Sequence, residues 1–356
     1  MKKRKQQLIA LGMAMLMVCG LLTGCGKTAE TSGDNSVSGG NATAVSGSDA
    51  AADAIRIGSL KGPTSMGLLF LMEDAEAGET ENAYEFQMAA AADELLPLMI
   101  KGELDIALLP ANVASVLYSK TEGGVSVIDI NTLGVLYMVS GDASLENITD
   151  LEGRTIYLTG KGTTPDYALQ HILTQNGLST SDCKLEYKSE ATEVAAMLAE
   201  NPDAIGVLPQ PFAASACMQN NELSVVFDMN EEWDIVQGDI GNGMVTGVTV
   251  VRNEFLAENE EAVRAFMKEH AESTNAINQD VAAGAALAVE TGIIAKEPIA
   301  QKAIPECNIV CVTGTEMKQK LSGYLKVLYE MDSESVGGSL PGDAFYYTSA
   351  SVSGSN

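Results

Sequence analysis

The sequence predicts an α/β protein of two lobes, with mixed, mostly parallel sheets and a ligand cleft between the lobes. Three observations carry that expectation. Short apolar strands alternate with helical patterns from Ile55 onward, the mark of parallel sheets covered by helices. A stretch of the first half recurs in the second: ELLPLMIKGELDIALLP at Glu94–Pro110 aligns without a gap on EVAAMLAENPDAIGVLP at Glu193–Pro209, an offset of 99 residues. Beyond Asp228 the alternation gives way to one strand, GMVTGVTVV at Gly243–Val251, and a set of helices. A chain that leaves the first lobe, builds the second and returns has this order.

The N-terminus is expected to be a targeting signal outside the fold. Lys2, Lys3, Arg4 and Lys5 precede the uncharged apolar run Leu8–Leu22, whose 15 residues are short for a membrane span. Small residues and a cysteine close it, as Leu22-Thr23-Gly24-Cys25. Residues 1–25 therefore read as a signal peptide. Residues 26–53, rich in Gly, Ser, Thr, Ala and Asn, cannot bury enough apolar surface to order themselves and read as a flexible tether. Residues 54–140 are expected to form the first part of lobe 1, and residues 141–240 lobe 2. Residues 241–347 would return to lobe 1 with C-terminal helices, and residues 348–356 would be a disordered tail.

The chain has 48 acidic and 21 basic residues, and four of the basic ones lie in the signal. The remainder, near −31, repels nucleic acid, so no nucleic-acid partner is expected. Solubility accounts for the acidity.

In the first half, strands are expected near 55–60, 84–88, 105–109 and 125–130, with helices near 63–75, 92–101 and 111–119. In the second, strands near 154–158, 184–187, 204–208 and 223–227 alternate with helices near 164–176, 190–200 and 210–220. Val263, Phe266, Met267, His270 and Ile277 share one stripe of a helix over 258–278, and further helices follow near 279–295 and 313–331. Thr149-x-x-Glu152 and Thr313-x-x-Glu316 read as capping boxes.

Ligands of open parallel sheets sit beyond the carboxyl ends of the strands, where helix N-termini present free N–H groups. GPTSMG places Thr64 and Ser65 at such an end in the first lobe, and GKGTTP places Thr163 and Thr164 at the matching end in the second. Facing lobes would aim both sets at one ligand. Neither stretch is a Walker loop, and no G-x-G-x-x-G opens a helix.

GPTSMG, DLEGRTIYL (Asp150–Leu158), GKGTTPDYAL (Gly160–Leu169), GVLPQPFAAS (Gly206–Ser215) and FDMNEEWDIVQG (Phe227–Gly238) span most of residues 55–252. On these the sequence resembles substrate-binding lipoproteins of ABC importers, of the nitrate/sulfonate/taurine type, related to thiamine-pyrimidine-binding proteins. The resemblance implies a type II periplasmic-binding-protein fold, hinged by two crossing strands near Leu136–Gly141 and Val236–Val248. It implies a monomer without cofactor that captures a small-molecule ligand and delivers it to an ABC permease and its ATPase. The expected location is extracytoplasmic, on the outer face of the cell membrane, anchored by a diacylglyceryl group on Cys25.

Carried over residue by residue, the resemblance points to Ser65 and Met66 at the first-lobe helix start and to Asn112 after the strand end at Pro110. In the second lobe it points to Gly162, Thr163 and Thr164 at the helix start, and to Gln210 after Pro209, where the family often has Glu. Trp233 lies near the second crossing, where it could stack on a planar ligand or pack in a core. Met138 and Met244, with Tyr137, flank the hinge, where ligand contact and core packing both suit them.

The same fold serves a pyrimidine synthase and menaquinone-pathway enzymes, so an enzyme is one alternative and a ligand-sensing lipoprotein another. Catalysis needs positioned acids and bases. The two histidines, His171 and His270, fall within amphipathic helices away from the matched turns, and Ser65 has no evident partner base. No catalytic residue is therefore expected. Cys183, Cys217, Cys307 and Cys311 could be free buried thiols, or Cys307 and Cys311 could form a local bridge. With no histidine near the cysteines in sequence, no zinc site is expected.

Overall fold

The computed structural model describes residues 54–238 and 243–348. The expected signal, the tether, Cys25 and residues 349–356 of the expected tail lie outside the described residues.

The first lobe is a six-stranded sheet in the order β11-β4-β10-β3-β1-β2, and the second a five-stranded sheet in the order β7-β6-β8-β5-β9. The first uses β1 (Ile55–Leu60), β2 (Tyr84–Ala89), β3 (Ile106–Pro110), β4 (Val125–Leu133), β10 (Val245–Arg252) and β11 (Ile309–Val312). The second uses β5 (Leu136–Ser140), β6 (Thr155–Thr159), β7 (Lys184–Lys188), β8 (Ile205–Pro209) and β9 (Ser224–Asp228). The mixed two-sheet architecture is the one expected.

The internal repeat is visible in the pairing. Ile57 pairs with Ile106 in lobe 1 and Ile156 with Ile205 in lobe 2, so the register shifts as a block by 99 residues. Likewise β2 runs parallel to β1, as β7 does to β6. Residue 106 onward and residue 205 onward are continuous apolar runs because both strands are covered on both faces. The glutamate common to the two copies has one local job. Glu94 Oε1 accepts from the Ala90 and Ala91 N–H groups before helix α3 (Ala92–Lys101), and Glu193 Oε2 accepts from the Ser189 N–H before helix α6 (Ala191–Glu200). Each satisfies backbone donors that a helix start leaves unpaired.

Each lobe completes its sheet with an antiparallel strand that belongs to a crossing segment. In lobe 1, β10 lies between β3 and β4; in lobe 2, β5 lies between β8 and β9. The first crossing falls at Gly134–Val135, between β4 and β5, so residues 136–140 belong to the second sheet rather than to lobe 1. Gly134 lies so close to Asn230 that a Cβ would sit 2.6 Å from its Oδ1. The second crossing runs between α8 (Met229–Gln237) and β10.

Helices α4 (Ala111–Lys120), α5 (Thr164–Gln175) and α7 (Phe212–Gln219) take the expected places. The helix expected over 63–75 is two: α1 (Pro63–Met66) and α2 (Leu69–Ala77). Between them Gly67 passes close to α10 (Glu260–Gln279); a Cβ there would meet Thr274 Oγ1 at 2.9 Å and His270 Nε2 at 3.1 Å. His270 is thus beside the first matched turn, not distant from it. The return adds α9 (Asn253–Glu258), α11 (Val281–Glu290), α12 (Glu297–Ala303) and α13 (Gly314–Met331). Helix α13 packs on β4, β10 and α4. The first expected capping box is shifted: Asp150 accepts from the Glu146 and Asn147 N–H groups, which makes Asn147, not Thr149, the cap. Thr313 does cap α13, but without a side-chain bond. Cys183, Cys217, Cys307 and Cys311 are all free thiols, so the local bridge is not formed.

Candidate functional site

The carboxyl ends of β1, β3, β6 and β8 face the junction of the lobes. In lobe 1, the Ser65 hydroxyl is fully buried and donates to the Leu60 carbonyl, which commits it to its own turn. Met66 is buried with Leu69, Ile277 and Ile309 in a cluster under the C-terminal helices, so it is a core residue. Thr64 packs against Gly247 on the crossing strand β10. A Cβ at Gly247 would lie 2.4 Å from Asn131 Oδ1 and 2.6 Å from Thr64 Cγ2, so this contact requires glycine. Asn131 is tied to its neighbours by bonds to Thr249 Oγ1 at 3.2 Å and from Thr132 Oγ1 at 2.9 Å. The Asn112 amide donates to the Ser335 carbonyl at 3.3 Å, away from any second-lobe partner.

In lobe 2, Thr163 caps α5, and its hydroxyl donates back to the Gly160 carbonyl at 2.5 Å. Gly162, at φ +72°, turns its N–H onto Asp166 Oδ2 at 2.8 Å. The other oxygen of Asp166 accepts from the Tyr187 hydroxyl at 2.7 Å, so this turn is held from below. Thr164 stands within side-chain hydrogen-bond reach of the buried Tyr324 hydroxyl, which α13 brings from the other lobe.

One flank of the junction is therefore packed shut. Trp233, with no exposed surface, lies 4.7 Å from the His171 ring and 5.5 Å from the Tyr324 ring, centroid to centroid. The Tyr167 hydroxyl donates to Asp332 Oδ2 at 2.8 Å across the same seam. Met138 and Met244 are fully buried in the cluster that continues from these aromatics to Val248. Trp233, Met138 and Met244 are core residues, and burial pushes the His171 imidazole below its ordinary range.

The other flank holds a cavity of about 320 Å³. Tyr137, Gln210, Ala213, Cys217, Met218 and Asp228 line it from the second lobe, and Lys302 and Glu306 from the returning chain. Gln210 is 3% exposed; its Oε1 accepts from the Ala214 N–H at 3.3 Å and its own N–H donates to the Val135 carbonyl at 3.0 Å. The Tyr137 hydroxyl donates to the Glu306 carbonyl at 2.6 Å. Burial pushes the Asp228 carboxyl above its ordinary range, although N–H groups of Asn230 and Glu231 hold it down in part. Lys302 brings a positive charge and Met218, Ala213 and Val225 an apolar wall. The chemistry is that of a small-molecule pocket: an apolar lining with a few convergent polar groups. Close by, at the crossing, Asn230 Oδ1 is buried without a partner.

A larger cavity, about 710 Å³, lies at the amino ends of β1 and β3. Its arginines are already engaged: Arg56 and Arg252 both bond Asp105. The position is the wrong end of the sheet for a ligand site.

Of the residues read from sequence, the cavity contains Gln210 and Tyr137; it leaves Ser65, Met66, Asn112, Met138, Gly162, Thr163, Thr164, Trp233 and Met244 outside its lining. Asp228 was legible. Shifted by the repeat's offset, VSVID at Val125–Asp129 overlies SVVFD at Ser224–Asp228 and ends on the same acid. Lys302 and Glu306 arrive from some ninety residues downstream of Gln210 and have no such signal.

The NMT1/THI5-like family profile matches residues 96–281. No curated protein matches the chain. Among solved structures, an ABC transporter from Parabacteroides distasonis superposes with a TM-score of 0.70 at 24% identity, covering 82% of this chain and 98% of its own. The periplasmic aliphatic sulphonate binding protein SsuA from Escherichia coli gives 0.66 at 15% identity, covering 85% and 94%. A DSZB mutant in complex with biphenyl-2-sulfinic acid gives 0.59 at 13% identity, covering 83% and 96%. At these identities the likeness establishes the fold alone.

Proposed function

The chain belongs to the NMT1/THI5-like family, and from that premise we propose that it is an extracytoplasmic solute-binding lipoprotein serving an ABC importer. The observation that carries this reading is the cavity beside Gln210, because its lining comes from both sides of the lobe junction. A solute held there touches both lobes and so binds the closed form in preference. The permease would then receive the closed, loaded protein.

The lining favours a small solute with a polar head and an aliphatic portion. Gln210 and Lys302 suit the head; Ala213, Met218 and Val225 suit the tail. An aliphatic sulfonate, the ligand class in the name of the E. coli relative, has that form. Leu22-Thr23-Gly24-Cys25 supports a lipid anchor at Cys25. Replacing Cys25 by Ser is expected to move the protein from the membrane to the soluble fraction.

The decisive experiment is mass spectrometry of small molecules released when the purified protein is denatured. Any compound found is then returned by calorimetry and small-angle scattering. The reading expects a smaller radius of gyration on binding. A ligand that binds tightly and is chemically converted would transfer the protein to the enzymes of this fold.

A further inference from the structure

Away from the cavity, the fold assembles three unlike donors inside the first lobe. Asp129 comes from β4, His270 from α10 and Cys311 from the edge strand β11, and their donor atoms all lie within 4.8 Å of one another. Asp129 and His270 have no exposed surface. His270 Nδ1 stands 3.2 Å from Asp129 Oδ2, and Thr249 Oγ1 donates to the other carboxylate oxygen at 2.7 Å.

We propose that Asp129, His270 and Cys311 supply three of the four ligands of a tetrahedral zinc site. One oxygen, one imidazole nitrogen and one sulfur are the donors Zn²⁺ accepts in tetrahedral sites. Bonds of zinc to these atoms, about 2.0–2.3 Å long, place tetrahedral ligand atoms roughly 3.4–3.7 Å apart. From separations of up to 4.8 Å, the three groups therefore need to close by about 1.4 Å at most.

The charge balance favours the ion. A carboxylate buried without full compensation is costly. A zinc ion bound by one carboxylate and one thiolate is neutral as a unit, with a neutral imidazole as third ligand. Binding thus releases the Cys311 proton to solvent and leaves the sulfur as thiolate.

Two further observations fit. With its Nδ1 turned to Asp129, His270 has Nε2 buried and unpaired, beside Gly67. Coordination through Nδ1 puts the imidazole proton on Nε2, and the equally unpaired Thr274 Oγ1 faces the same glycine as an acceptor within the neighbouring turn. The edge strand is also irregularly paired. β11 pairs with β4 only at Ile309–Thr132 and Val312–Ile130, with an irregularity between them, and Cys311 lies in that irregular part. A metal there would pin β11 to β4 and α10 near the first crossing.

The test is cobalt and zinc binding by the purified, metal-stripped full chain. The site predicts thiolate-to-cobalt charge-transfer absorption at one equivalent per chain, displaced by zinc, and lost in Cys311→Ser. It also predicts an anomalous zinc peak between the three side chains in crystals of the unmutated protein. That measurement decides the matter even where Cys311→Ser fails to fold. No charge-transfer band, a band unchanged in Cys311→Ser, or zinc-soaked crystals without the peak would each overturn the proposal.

Discussion

The Tyr137 hydroxyl, on the crossing strand of the second lobe, donates to the Glu306 carbonyl of the returning chain at 2.6 Å. This bond spans the junction at the wall of the cavity, so it exists only while the lobes are closed on that flank. Tyr137→Phe removes it and little else. A neutral bond of this kind is worth about 0.5–1.5 kcal/mol, so the closed form should lose that much relative to the open one. The expected result, by calorimetry with a solute recovered from the protein, is an affinity about two- to tenfold weaker. An affinity equal to the parent's would show that closure does not depend on this contact.

On the opposite flank the prediction concerns stability. Trp233 is enclosed by His171 and Tyr324, and a tryptophan-to-alanine change in such a core costs about 3–5 kcal/mol. The buried Tyr324 hydroxyl has the Thr164 side chain beside it across the seam. Losing a neutral hydrogen bond costs about 0.5–1.5 kcal/mol, so Tyr324→Phe should lower the urea midpoint slightly. If Tyr324→Phe instead leaves stability unchanged and weakens solute binding, this flank, and not the cavity, holds the ligand.

How much of this was legible follows from separation along the chain. The repeat exposed the strand–helix units because Glu94 and Glu193, or Ile57 and Ile156, answer to local rules that act alike in both lobes. The sheet membership of residues 136–140 was misread because a crossing strand has the same apolar pattern on either side of its crossing. Met66 was expected at the ligand for its place at a helix start, while Met138 and Met244 at the hinge and Trp233 near the second crossing suited either ligand or core. Burial places them in cores, since a methionine suits both settings. His270 meets Asp129 across 141 residues, and no local pattern reports such a meeting.

Asp105 sets an acid limb of stability. Burial alone would raise its pKa, but hydrogen bonds from Arg56 and Arg252 outweigh burial and hold the carboxyl below its ordinary value. The folded state therefore resists protonation more than the unfolded one. The stabilisation is complete above the ordinary Asp value, near 4, and is lost as pH falls through the folded value. Asp105→Asn should flatten this part of the acid denaturation curve. At neutral pH it should cost roughly 1–3 kcal/mol, less than the about 3–5 kcal/mol of a fully buried pair, because water screens a partly exposed partner; the Arg56 side chain is 37% exposed. Parallel acid titrations of parent and variant check both points, and identical curves would remove the network from the stability account.

The last prediction separates a turn residue from a binding residue. Ser65 and Gln210 both follow strands whose carboxyl ends face the junction, and both were expected to meet the ligand. The Ser65 hydroxyl is buried and spent on the Leu60 carbonyl, whereas Gln210 lines the cavity. Ser65→Ala should then lower ligand-free stability by about 1 kcal/mol and leave affinity within twofold. Gln210→Ala should weaken binding by about two- to tenfold if the partner is neutral, and further if it is charged, since a bond to a charged group is worth about 1.5–3 kcal/mol. Its effect on stability should be the smaller of the two, because water admitted to the cavity can meet the Ala214 N–H that Gln210 now satisfies. Calorimetric affinity and ligand-free urea denaturation, measured on both variants, give the comparison. The reverse pattern, with affinity lost in Ser65→Ala and kept in Gln210→Ala, would move the binding site from the cavity to the helix start of the first lobe.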